Sequence, residues 1–449
     1  MNPQKTFHII TYGCQMNVYD SSRMNEILQE EGYKEVQAAE DASLVILNTC
    51  HIREKAAEKV FSEIGRLRLI RERRKQMNSD MIIGVAGCVA QAQGDEIIKR
   101  APAVDLVFGP QSYQNLPQML NSLSEAGRVL SLEFTDDDKF DHLPEKVYAD
   151  ARVQNSAAFL SIQEGCDKFC TYCVVPYTRG AEYSRPVNKI MNEALALVNA
   201  GAKEITLLGQ NVNAWHGESW DGNEWELGRL IRELADINGL ERIRYTTSYP
   251  AEVTDELLQT HKDVKKLMPY LHLPVQAGSN RILKLMNRRH TADDYRFIVD
   301  KLRGLRPDIA LSSDFIVGFP GETDKDFEDT LNLVKDIQFF QAYSFKYSPR
   351  PGTPAAIMDN QVEEHVKAER LAILQAELTK QTEQFNQNCV GLEFPVLFSH
   401  QGRKDGQIIG RSPYAQPVHI YGAQDLIGQI KNVKITQALP NSMAGELIE

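Results

Sequence analysis

Three cysteines, Cys166, Cys170 and Cys173, crowd into the stretch EGCDKFCTYCVVPYTRG at residues 164–180. The chain has seven cysteines in all, so this C-x3-C-x2-C spacing is a local concentration that needs a chemical reason. Disulfides, zinc and iron–sulfur clusters all use cysteine. Structural zinc usually takes four ligands, and only three cysteines and no histidine lie here. A cubane cluster on three thiolates leaves one iron open, which can chelate an amine and a carboxylate.

A second set of cysteines occupies three matching positions in the first part of the chain. Cys14, Cys50 and Cys88 each stand at the carboxyl end of an apolar run that predicts a β-strand, at 7–13, 43–50 and 80–88. Ligands of open parallel sheets bind at that edge. The placement therefore predicts that three thiols meet at one crevice. The alternative is three unrelated core residues, because free cysteine is often buried.

Strands and helices alternate around this first set of cysteines. The run at 17–32 has helical spacing and ends in glycine, and a strongly basic helical stretch at 53–76 follows the second strand. Such repeats predict a parallel sheet covered by helices. We therefore expect an α/β domain over residues 5–122. Residues 123–150 are acidic and irregular, and we interpret them as a linker.

The central part of the chain, residues 151–382, predicts an incomplete parallel barrel. Six strand–helix units can be counted, with strands at 157–163, 204–212, 242–250, 270–277, 309–319 and 342–349. A complete barrel of this class has eight units. Six units leave it open on one side, which suits a large substrate. The three-cysteine loop directly follows the first strand, at the face where such barrels build active sites.

The last part, residues 384–449, consists of short β-rich runs separated by glycine and proline. This pattern is typical of a small β-barrel or a five-stranded sheet. The predicted fold class is thus α/β, with a parallel-sheet domain, an open six-unit barrel and a small all-β domain. A length of 449 residues agrees with about three domains.

Amino-acid composition and net charge restrict the class of function less than the cysteine motifs do. The chain is 42 % hydrophobic, which is enough for large cores. The formal net charge of −11 argues weakly against nucleic acid, but local basic patches decide such binding. The start, MNPQKTFHII, does not look like a signal peptide, and no apolar run could cross a bilayer. We expect a cytoplasmic protein without membrane contact, whose reduced thiols favour metal over disulfides.

The open iron suits the amine and carboxylate of S-adenosylmethionine, and polar residues near strand ends are candidates to hold the rest of that molecule. Gln210 and Asn211 end the second barrel strand, Ser248 lies near the end of the third, and Asp314 lies within the fifth. Each is a candidate hydrogen-bond partner of the ribose or the methionine part. Each is equally interpretable as a packing polar group. No catalytic residue beyond the cluster ligands is predicted.

The cysteine spacing after a barrel strand resembles that of the radical S-adenosylmethionine superfamily. The resemblance extends along nearly the whole chain to its methylthiotransferase family, through TYGCQMNVYDS, NTCHIREKA, GVAGCVAQ, EGCDKFCTYCVVPYTRGAEYSRP, LLGQNVN, LHLPVQAGSNRIL, SSDFIVGFPGET and GRSPYAQPVHI. It implies two [4Fe-4S] clusters, the second held by Cys14, Cys50 and Cys88. It also implies that Tyr172 lies near the adenine of S-adenosylmethionine, and that an RNA-binding TRAM domain ends the chain.

The motifs are most similar to those of enzymes that modify isopentenylated adenosine beside the tRNA anticodon. The resemblance implies radical methylthiolation of C2 of that base, with S-adenosylmethionine as methyl donor and radical source. C2 is an unactivated aromatic carbon, which explains the need for a radical. The implied partners are the tRNA anticodon stem-loop and an electron donor such as a flavodoxin or ferredoxin, and we expect a monomer. Alternatives are threonylcarbamoyl-adenosine or a ribosomal-protein aspartate as substrate, and a non-catalytic iron–sulfur RNA-binding regulator.

Candidate RNA contacts combine basic and aromatic residues. The basic stretch at 53–76 and the segment 280–290 are candidate phosphate contacts. Bases of single-stranded loops stack on aromatic residues, which in the last domain interleave with basic ones as Arg403, Lys404, Arg411, Tyr414, His419 and Tyr421. His51, beside Cys50, either tunes the second cluster or faces solvent. Cys389 is interpreted as a buried core thiol.

Overall fold

The computed structural model describes residues 5–51, 54–134, 139–142, 156–422 and 424–448, and at 54–57 and 141–142 it describes the backbone alone. The chain divides into two compact units. The first comprises Met1–Ala151, Gly165–Asp167 and Val174–Glu182. The second comprises Arg152–Glu164, Lys168–Cys173 and Tyr183–Glu449. The three-cysteine loop therefore contributes backbone to both units.

The first unit is built on a six-stranded parallel sheet with the order β2-β1-β3-β4-β5-β6. Its strands are β1 Thr6–Thr11, β2 Lys34–Glu35, β3 Leu44–Thr49, β4 Ile82–Gly87, β5 Leu106–Phe108 and β6 Val129–Ser131. Its helices are α1 Gln15–Glu30, α2 Glu54–Gln76, α3 Cys88–Arg100, α4 Leu116–Ala126 and, from the cysteine loop, α5 Val175–Arg179. The predicted parallel α/β organisation is confirmed.

The middle strands of this sheet are buried because their sequences are apolar. Every residue of β3, LVILNT, is buried, and β4 is buried from Ile83 onward. The helical side chains Val60, Leu67 and Ile97 belong to the same core cluster as Val45 of β3. Removing such side chains from water is the main stabilising contribution to the unit.

The sheet extends into the segment that the sequence assigns to the linker. Helix α4 continues to Ala126, where the left-handed Gly127 ends it, and β6 pairs in parallel with β5. Sequence analysis identified three of the six strands, because strands of two or three residues show no alternation to detect. Residues 135–138 and 143–150 of the proposed linker lie outside the described residues.

The second unit contains the six barrel strands that the sequence predicts. Its strands up to residue 346 are β7 Ala157–Ser161, β8 Gln163–Glu164, β9 Tyr183–Ser184, β10 Glu204–Leu208, β11 His216–Glu218, β12 Glu224–Glu226, β13 Arg242–Tyr245, β14 Tyr270–His272, β15 Ala310–Val317 and β16 Gln341–Lys346. The pairs β8–β9 and β11–β12 are antiparallel. Its helices are α6 Val187–Asn199, α7 Leu227–Ala235, α8 Asp255–Asp263, α9 Asn280–Leu285, α10 Ala292–Leu305, α11 Asp324–Ile337 and α12 Glu364–Asn388.

The barrel strands form two parallel halves. One half has the order β13-β10-β7 and the other has the order β14-β15-β16. The backbone of Ile243 in β13 bonds to Lys266 at 2.7 Å and to Met268 at 3.0 Å, which joins the halves. Within residues 156–422, β7 and β16 each pair with one neighbour only, so the array stays open between them as predicted.

The last part of the chain is a closed barrel with the order β17-β18-β19-β21-β20. Its strands are β17 Glu393–Gln401, β18 Gln407–Arg411, β19 Pro417–Tyr421, β20 Ile430–Leu439 and β21 Ser442–Leu447. Cys389 lies in its core, so the prediction of a buried thiol is confirmed, and burial raises its pKa to about 11. None of the described helices combines the length and the apolar run that crossing a bilayer demands.

One continuous helix, α12, connects the two barrels and spans the domain boundary that the sequence places at residues 382–384. Gln381 on this helix donates to the carbonyl of Val334 at 3.0 Å, and Phe385 one turn later packs against the β17–β21 core. Arginine side chains of β13 add polar contacts. Arg244 donates to the carbonyls of Pro413 at 2.7 Å and Ser412 at 2.9 Å.

Candidate active site

The three N-terminal cysteines follow three neighbouring strands of the parallel sheet. Cys14 precedes α1, Cys50 directly follows β3, and Cys88 directly follows β4 as the first residue of α3. Because β1, β3 and β4 are adjacent, the three residues lie at one carboxyl edge. The placement that the sequence predicts for them is therefore observed.

Asn17 links the first of these cysteines to the strand before the second. Its Oδ1 lies 3.3 Å from the Cys14 thiol, which donates to it. Its Nδ2 donates to Oδ1 of Asn48 and to the carbonyl of Thr49, each at 3.1 Å. Asn17 is fully buried, so these bonds form away from water, where an unpaired amide is costly. The network fixes Cys14 relative to the end of β3.

Two glycines give the cysteines room. Gly13 has φ 141°, and a Cβ at this position would lie 2.3 Å from Cβ of Cys50. Gly87 has φ 89°, and a Cβ there would lie 2.3 Å from the carbonyl oxygen of Thr49. Such contacts are too short for any side chain, and both φ values favour glycine. The backbone thus brings the strand ends closer than other residues allow.

Hydrogen bonding and charge act on the thiols. The pKa of the Cys14 thiol is lowered to about 6, and the largest cause is a hydrogen bond with Cys50. Burial acts in the opposite direction, whereas the charge of the Arg179 guanidinium lowers the pKa further. Burial raises the pKa of Cys88, and the charge of Arg179 opposes this rise. Arg179 is itself buried, with Nη2 2.6 Å from Oδ2 of Asp20. Thiolates are the form that ligates metal, so the set suits a cationic iron centre.

No group of three His, Cys, Asp or Glu side chains in the described ranges is arranged to hold a single metal ion. A cubane is larger than one ion and spreads its thiolates over different irons, so it requires a wider opening. The shared strand edge, the lowered pKa of Cys14 and the glycine cradle fit such a group. His51 is only 6 % exposed, so the solvent-facing interpretation of this residue is wrong.

The three-cysteine loop follows β7 and β8. The backbone N–H of Cys166 donates to the carbonyl of Gly180 at 3.2 Å, within the first unit. The N–H of Cys173 donates to the carbonyl of Cys170 at 2.9 Å, within the second unit, which closes a tight turn. Phe169 has φ 46°, a conformation that is strained for a bulky residue. Strain of this kind concentrates at functional sites.

Arg288 and Tyr249 pack beside Cys170. The Nη1 atom of Arg288 lies 3.7 Å from the Cys170 sulfur, and Nη2 donates to the carbonyl of Pro274 at 2.5 Å. The guanidinium stands 4.2 Å from the centre of the Tyr249 ring, a favourable cation–π arrangement. The Tyr249 hydroxyl accepts from the backbone N–H of Arg289 at 2.8 Å, which fixes the ring.

Tyr172 lies in the same neighbourhood. Burial raises its pKa well above the usual value, and the charges of Cys170, Cys173 and Asp314 act in the same direction. These groups are therefore close enough to interact. Asp314, in β15, is partly exposed and has Oδ2 3.6 Å from Nε2 of His272.

A side-chain amide shapes the turn after β10. Oε1 of Gln163 accepts from the backbone N–H groups of Gln210 at 2.8 Å and Asn211 at 3.0 Å. The N–H of Val212 donates to the carbonyl of Thr247 at 3.0 Å, which ties this turn to the one after β13. Thr247 has φ 67°, an uncommon value for a β-branched residue. The candidates Gln210, Asn211 and Ser248 thus lie on two bonded turns.

Two buried side chains on these turns have unused hydrogen-bonding capacity. Asn211 is 2 % exposed, and neither of its amide atoms has a partner among the described residues. The buried Oγ of Ser248 likewise lacks one there. Buried polar atoms are nearly always paired, and leaving one unpaired costs about 1–3 kcal/mol. The polar groups of S-adenosylmethionine offer such partners, so the residues present fit this cofactor.

The candidate RNA residues of the β17–β21 barrel separate into two groups. Tyr414 packs edge-on against Phe385 at 5.4 Å and Phe394 at 5.5 Å between ring centres, so it borders the core instead of offering a stacking face. The His419 ring lies 6.1 Å from that of Tyr421. The exposed members of the group are Arg403, Lys404, Arg411 and Tyr421.

Sequence analysis did not single out Asn17, Gln163, Tyr249 or Arg288. The segment 280–290 was interpreted as a phosphate contact, yet Arg288 lies against Cys170, and Arg281 forms an ion pair with Asp326. A basic run gives no sign of which member turns inward. Gln163 offers a sequence signal, because it ends the run 157–163 that predicts the first barrel strand, just before the cysteine loop.

Family models match three consecutive segments of the chain. Residues 6–109 match the uncharacterized protein family UPF0004, residues 160–334 match the radical SAM superfamily, and residues 387–448 match the TRAM domain. Together with the open barrel and its cysteine loop, these matches define a radical S-adenosylmethionine enzyme. The superfamily uses a [4Fe-4S] cluster and S-adenosylmethionine.

A curated relative narrows this assignment. A tRNA-2-methylthio-N(6)-dimethylallyladenosine synthase of Agrobacterium fabrum (strain C58) is 56 % identical over 446 residues, which cover 99 % of this chain and 98 % of that protein. The chain belongs to this family of tRNA-2-methylthio-N6-dimethylallyladenosine synthases. The resemblance stated from the sequence motifs is confirmed.

Solved structures share the fold. The radical S-adenosylmethionine methyltransferase TsrM of Kitasatospora setae superposes with a TM-score of 0.57 at 13 % identity, covering 89 % of this chain and 79 % of that one. The cobalamin-dependent S-adenosylmethionine radical enzyme OxsB gives a TM-score of 0.55 at 13 % identity, covering 84 % and 56 %. At this identity the likeness supports the fold alone.

Proposed function

We propose that the chain transfers a methylthio group to C2 of N6-isopentenyladenosine at position 37 of tRNA, next to the anticodon. The product is 2-methylthio-N6-(dimethylallyl)adenosine, and S-adenosylmethionine serves as methyl donor and radical source. The observation that carries this proposal is the 56 % identity, along 99 % of the chain, to a synthase named for this product.

Six cysteines are the proposed ligands of two [4Fe-4S] clusters, Cys166, Cys170 and Cys173 for one and Cys14, Cys50 and Cys88 for the other. Their support is the C-x3-C-x2-C spacing after a barrel strand and the shared strand edge in the first unit. When bound, the first cluster supplies one-electron reduction that yields a 5′-deoxyadenosyl radical from S-adenosylmethionine. The cysteine side chains hold iron as thiolates.

The proposed contacts of S-adenosylmethionine are Tyr172, Gln210, Asn211, Ser248 and Asp314. Tyr172 is assigned to the adenine because it is partly buried and lies close enough to Cys170 and Cys173 to interact with them. Asn211 and Ser248 are assigned to the polar parts of the cofactor because their buried atoms lack other partners within the described residues. Asp314 is partly exposed beside Tyr172, which makes its carboxylate available to the ribose hydroxyls.

The tRNA substrate is assigned to the exposed residues of the TRAM barrel. Arg403 and Lys404 offer positive charge to phosphates, and Tyr421, 58 % exposed, offers a ring to an unstacked base. The anticodon stem-loop presents such bases. We further propose that the chain works as a cytoplasmic monomer with a flavodoxin or ferredoxin as electron donor.

The test is nucleoside mass spectrometry of tRNA from cells that lack the gene and carry plasmid-borne variants. In the deletion strain we expect 2-methylthio-isopentenyladenosine to vanish and its unthiolated precursor to accumulate. The wild-type protein should restore the product. The control Cys389→Ala should restore it as well, because Cys389 lies in the TRAM-barrel core and is not one of the six proposed cluster ligands. Cys170→Ala should not restore it.

An unchanged nucleoside pool in the deletion strain would refute the substrate assignment. Threonylcarbamoyl-adenosine and the ribosomal-protein aspartate would then be measured in the same strains. Release of 5′-deoxyadenosine by the purified, reduced protein distinguishes the enzyme from a non-catalytic RNA-binding regulator, which would release none.

A further inference from the structure

An arginine lies beside each set of candidate cluster ligands, and the two arginines differ in whether a described carboxylate lies next to the guanidinium. In the first unit, the positive charge of Arg179 favours the thiolate form of both Cys88 and Cys14. Its Nη2 lies 2.6 Å from Oδ2 of Asp20, and both side chains are 3 % exposed. A carboxylate this close offsets most of the positive charge that the thiolates experience.

Among the described residues, Arg288 of the second unit has no such carboxylate beside it. In the ranges that the structure describes, its side chain contacts the sulfur of Cys170 at 3.7 Å, the carbonyl of Pro274 at 2.5 Å and the ring of Tyr249 at 4.2 Å, and it forms no ion pair. A carbonyl and an aromatic ring hold the guanidinium in place without cancelling its charge. Cys170 therefore lies beside an uncompensated cation.

Hydrogen bonds to cluster sulfurs and nearby charge set the reduction potential of an iron–sulfur centre. Reduction adds one negative charge to the cluster, so a fixed positive charge favours the reduced form. The effect is large where the charge is partly buried, because the surroundings screen it poorly. Nε of Arg288 is buried, and Tyr249 covers one face of the guanidinium.

We propose that Arg288 is a positioning residue that acts through Cys170 and makes the three-cysteine cluster the easier of the two to reduce. One electron passes from a donor of the flavodoxin or ferredoxin class to this cluster, so the donor loses one electron and the cluster gains one. The cluster beside Arg179 and Asp20 stays oxidised under the same conditions. The inference rests on the proposed function, in which Cys170 is a ligand.

The test is a reductive titration of the full-length protein carrying both clusters, followed by electron paramagnetic resonance. A variant with Cys14, Cys50 and Cys88 changed to alanine assigns the two signals. We expect Arg288→Gln to lower the reduction equilibrium constant of the three-cysteine cluster about tenfold, which is 59 mV for one electron. Arg288→Lys keeps the charge and should recover most of this shift.

The matched control is Arg289→Gln, which removes the same charge one residue further along. Arg289 is exposed, and within the described residues its side chain makes no hydrogen bond or ion pair, so both potentials should stay at their wild-type values. An equal shift in Arg289→Gln, or no shift in Arg288→Gln, overturns the proposal.

A second arm does not depend on changing Arg288. Asp20→Asn keeps the shape of the side chain and removes the carboxylate that lies 2.6 Å from Arg179, so the N-terminal cluster should become about tenfold easier to reduce. An unchanged N-terminal potential overturns the charge argument. If the wild-type protein assembles no cluster on Cys166, Cys170 and Cys173, the ligand assignment of the proposed function fails instead.

Discussion

Replacing Arg244 by methionine should loosen the junction between the six-stranded barrel and the TRAM barrel. The substitution removes the donors to Ser412 and Pro413 and the ion pair with Glu204, whose Oε2 lies 3.1 Å from Nε. Breaking a buried ion pair on one side costs about 3–5 kcal/mol. Glu204 keeps Arg242 at 3.6 Å, so the lower end of that range is expected.

Amide hydrogen exchange measures this loss of stability at individual residues of the junction. The turn after β18 is closed by the N–H of Ser412 to the carbonyl of Gln416 and by the N–H of Ala415 to the carbonyl of Ser412, each at 3.0 Å. A loss of about 3 kcal/mol in the free energy of opening speeds exchange of these amides by roughly a hundredfold. Amides of the parallel sheet in the first unit should keep their wild-type rates.

Arg229→Met is the matched control for this prediction. Arg229 forms an ion pair with Asp221 at 3.3 Å, with 46 % and 33 % of the side chains exposed, so its loss should cost less than about 1 kcal/mol. The reasoning is refuted if Arg244→Met leaves exchange of the Ser412–Gln416 turn within threefold of wild type, since α12 and the bonds from Arg242 to the carbonyls of Arg411 and Pro395 would then hold the barrels together.

Three further substitutions test the site and the core. Asn17→Ala removes the partner of the Cys14 thiol, so reconstituted protein should hold fewer iron atoms per chain, by iron analysis, and lose about 1–3 kcal/mol of stability. Gly87→Ala places a Cβ 2.3 Å from a β3 carbonyl, so its Tm by calorimetry should fall below that of Gly32→Ala, which shares the left-handed φ but has nothing within 4 Å. Burial lowers the pKa of His261 to about 3, so below its ordinary value of 6.5 the unfolded chain binds a proton that the folded chain does not. The free energy of unfolding in urea titrations should therefore decrease as the pH is lowered from 6.5 to 5, by up to about 1.4 kcal/mol per pH unit. His261→Gln should remove that contribution. Unchanged iron content, equal Tm values or parallel pH slopes would each contradict the corresponding argument.

Sequence analysis identified the elements whose patterns are long and uniform. The buried run LVILNT predicts β3 without ambiguity. The six barrel strands are predictable because each contains β-branched or aromatic residues and helical segments separate most of them. The short strands β5 and β6 escaped because three residues carry no period. Their pairing depends on β4 already being in place, which is tertiary information.

The cysteine positions were predictable because they are tied to strand ends, whereas the residues around them were not. Arg288 reaches Cys170 across 118 residues of sequence, and Gln163 reaches Gln210 across 47. No local pattern encodes such pairings. The interleaving of Tyr414 with basic residues makes it a candidate stacking residue in the sequence, but α12 places Phe385 against it.

The first unit is assembled from chain segments that are far apart in the sequence, and this affects the order in which it can fold during synthesis. Its sheet is complete by Ser131, yet the partner of Asp20 is Arg179, which lies 159 residues further along the chain. Until that residue has left the ribosome, the nascent unit holds the carboxylate of Asp20 without the guanidinium that matches it. Closing a contact of such long range is entropically slow.

A fragment that ends at the linker should therefore fold poorly, even though it contains every strand of the parallel sheet. The segment that completes it, Val174–Glu182, begins directly after Cys173. The first unit therefore cannot be completed before the three-cysteine loop has been synthesised, and its last segment follows that loop directly.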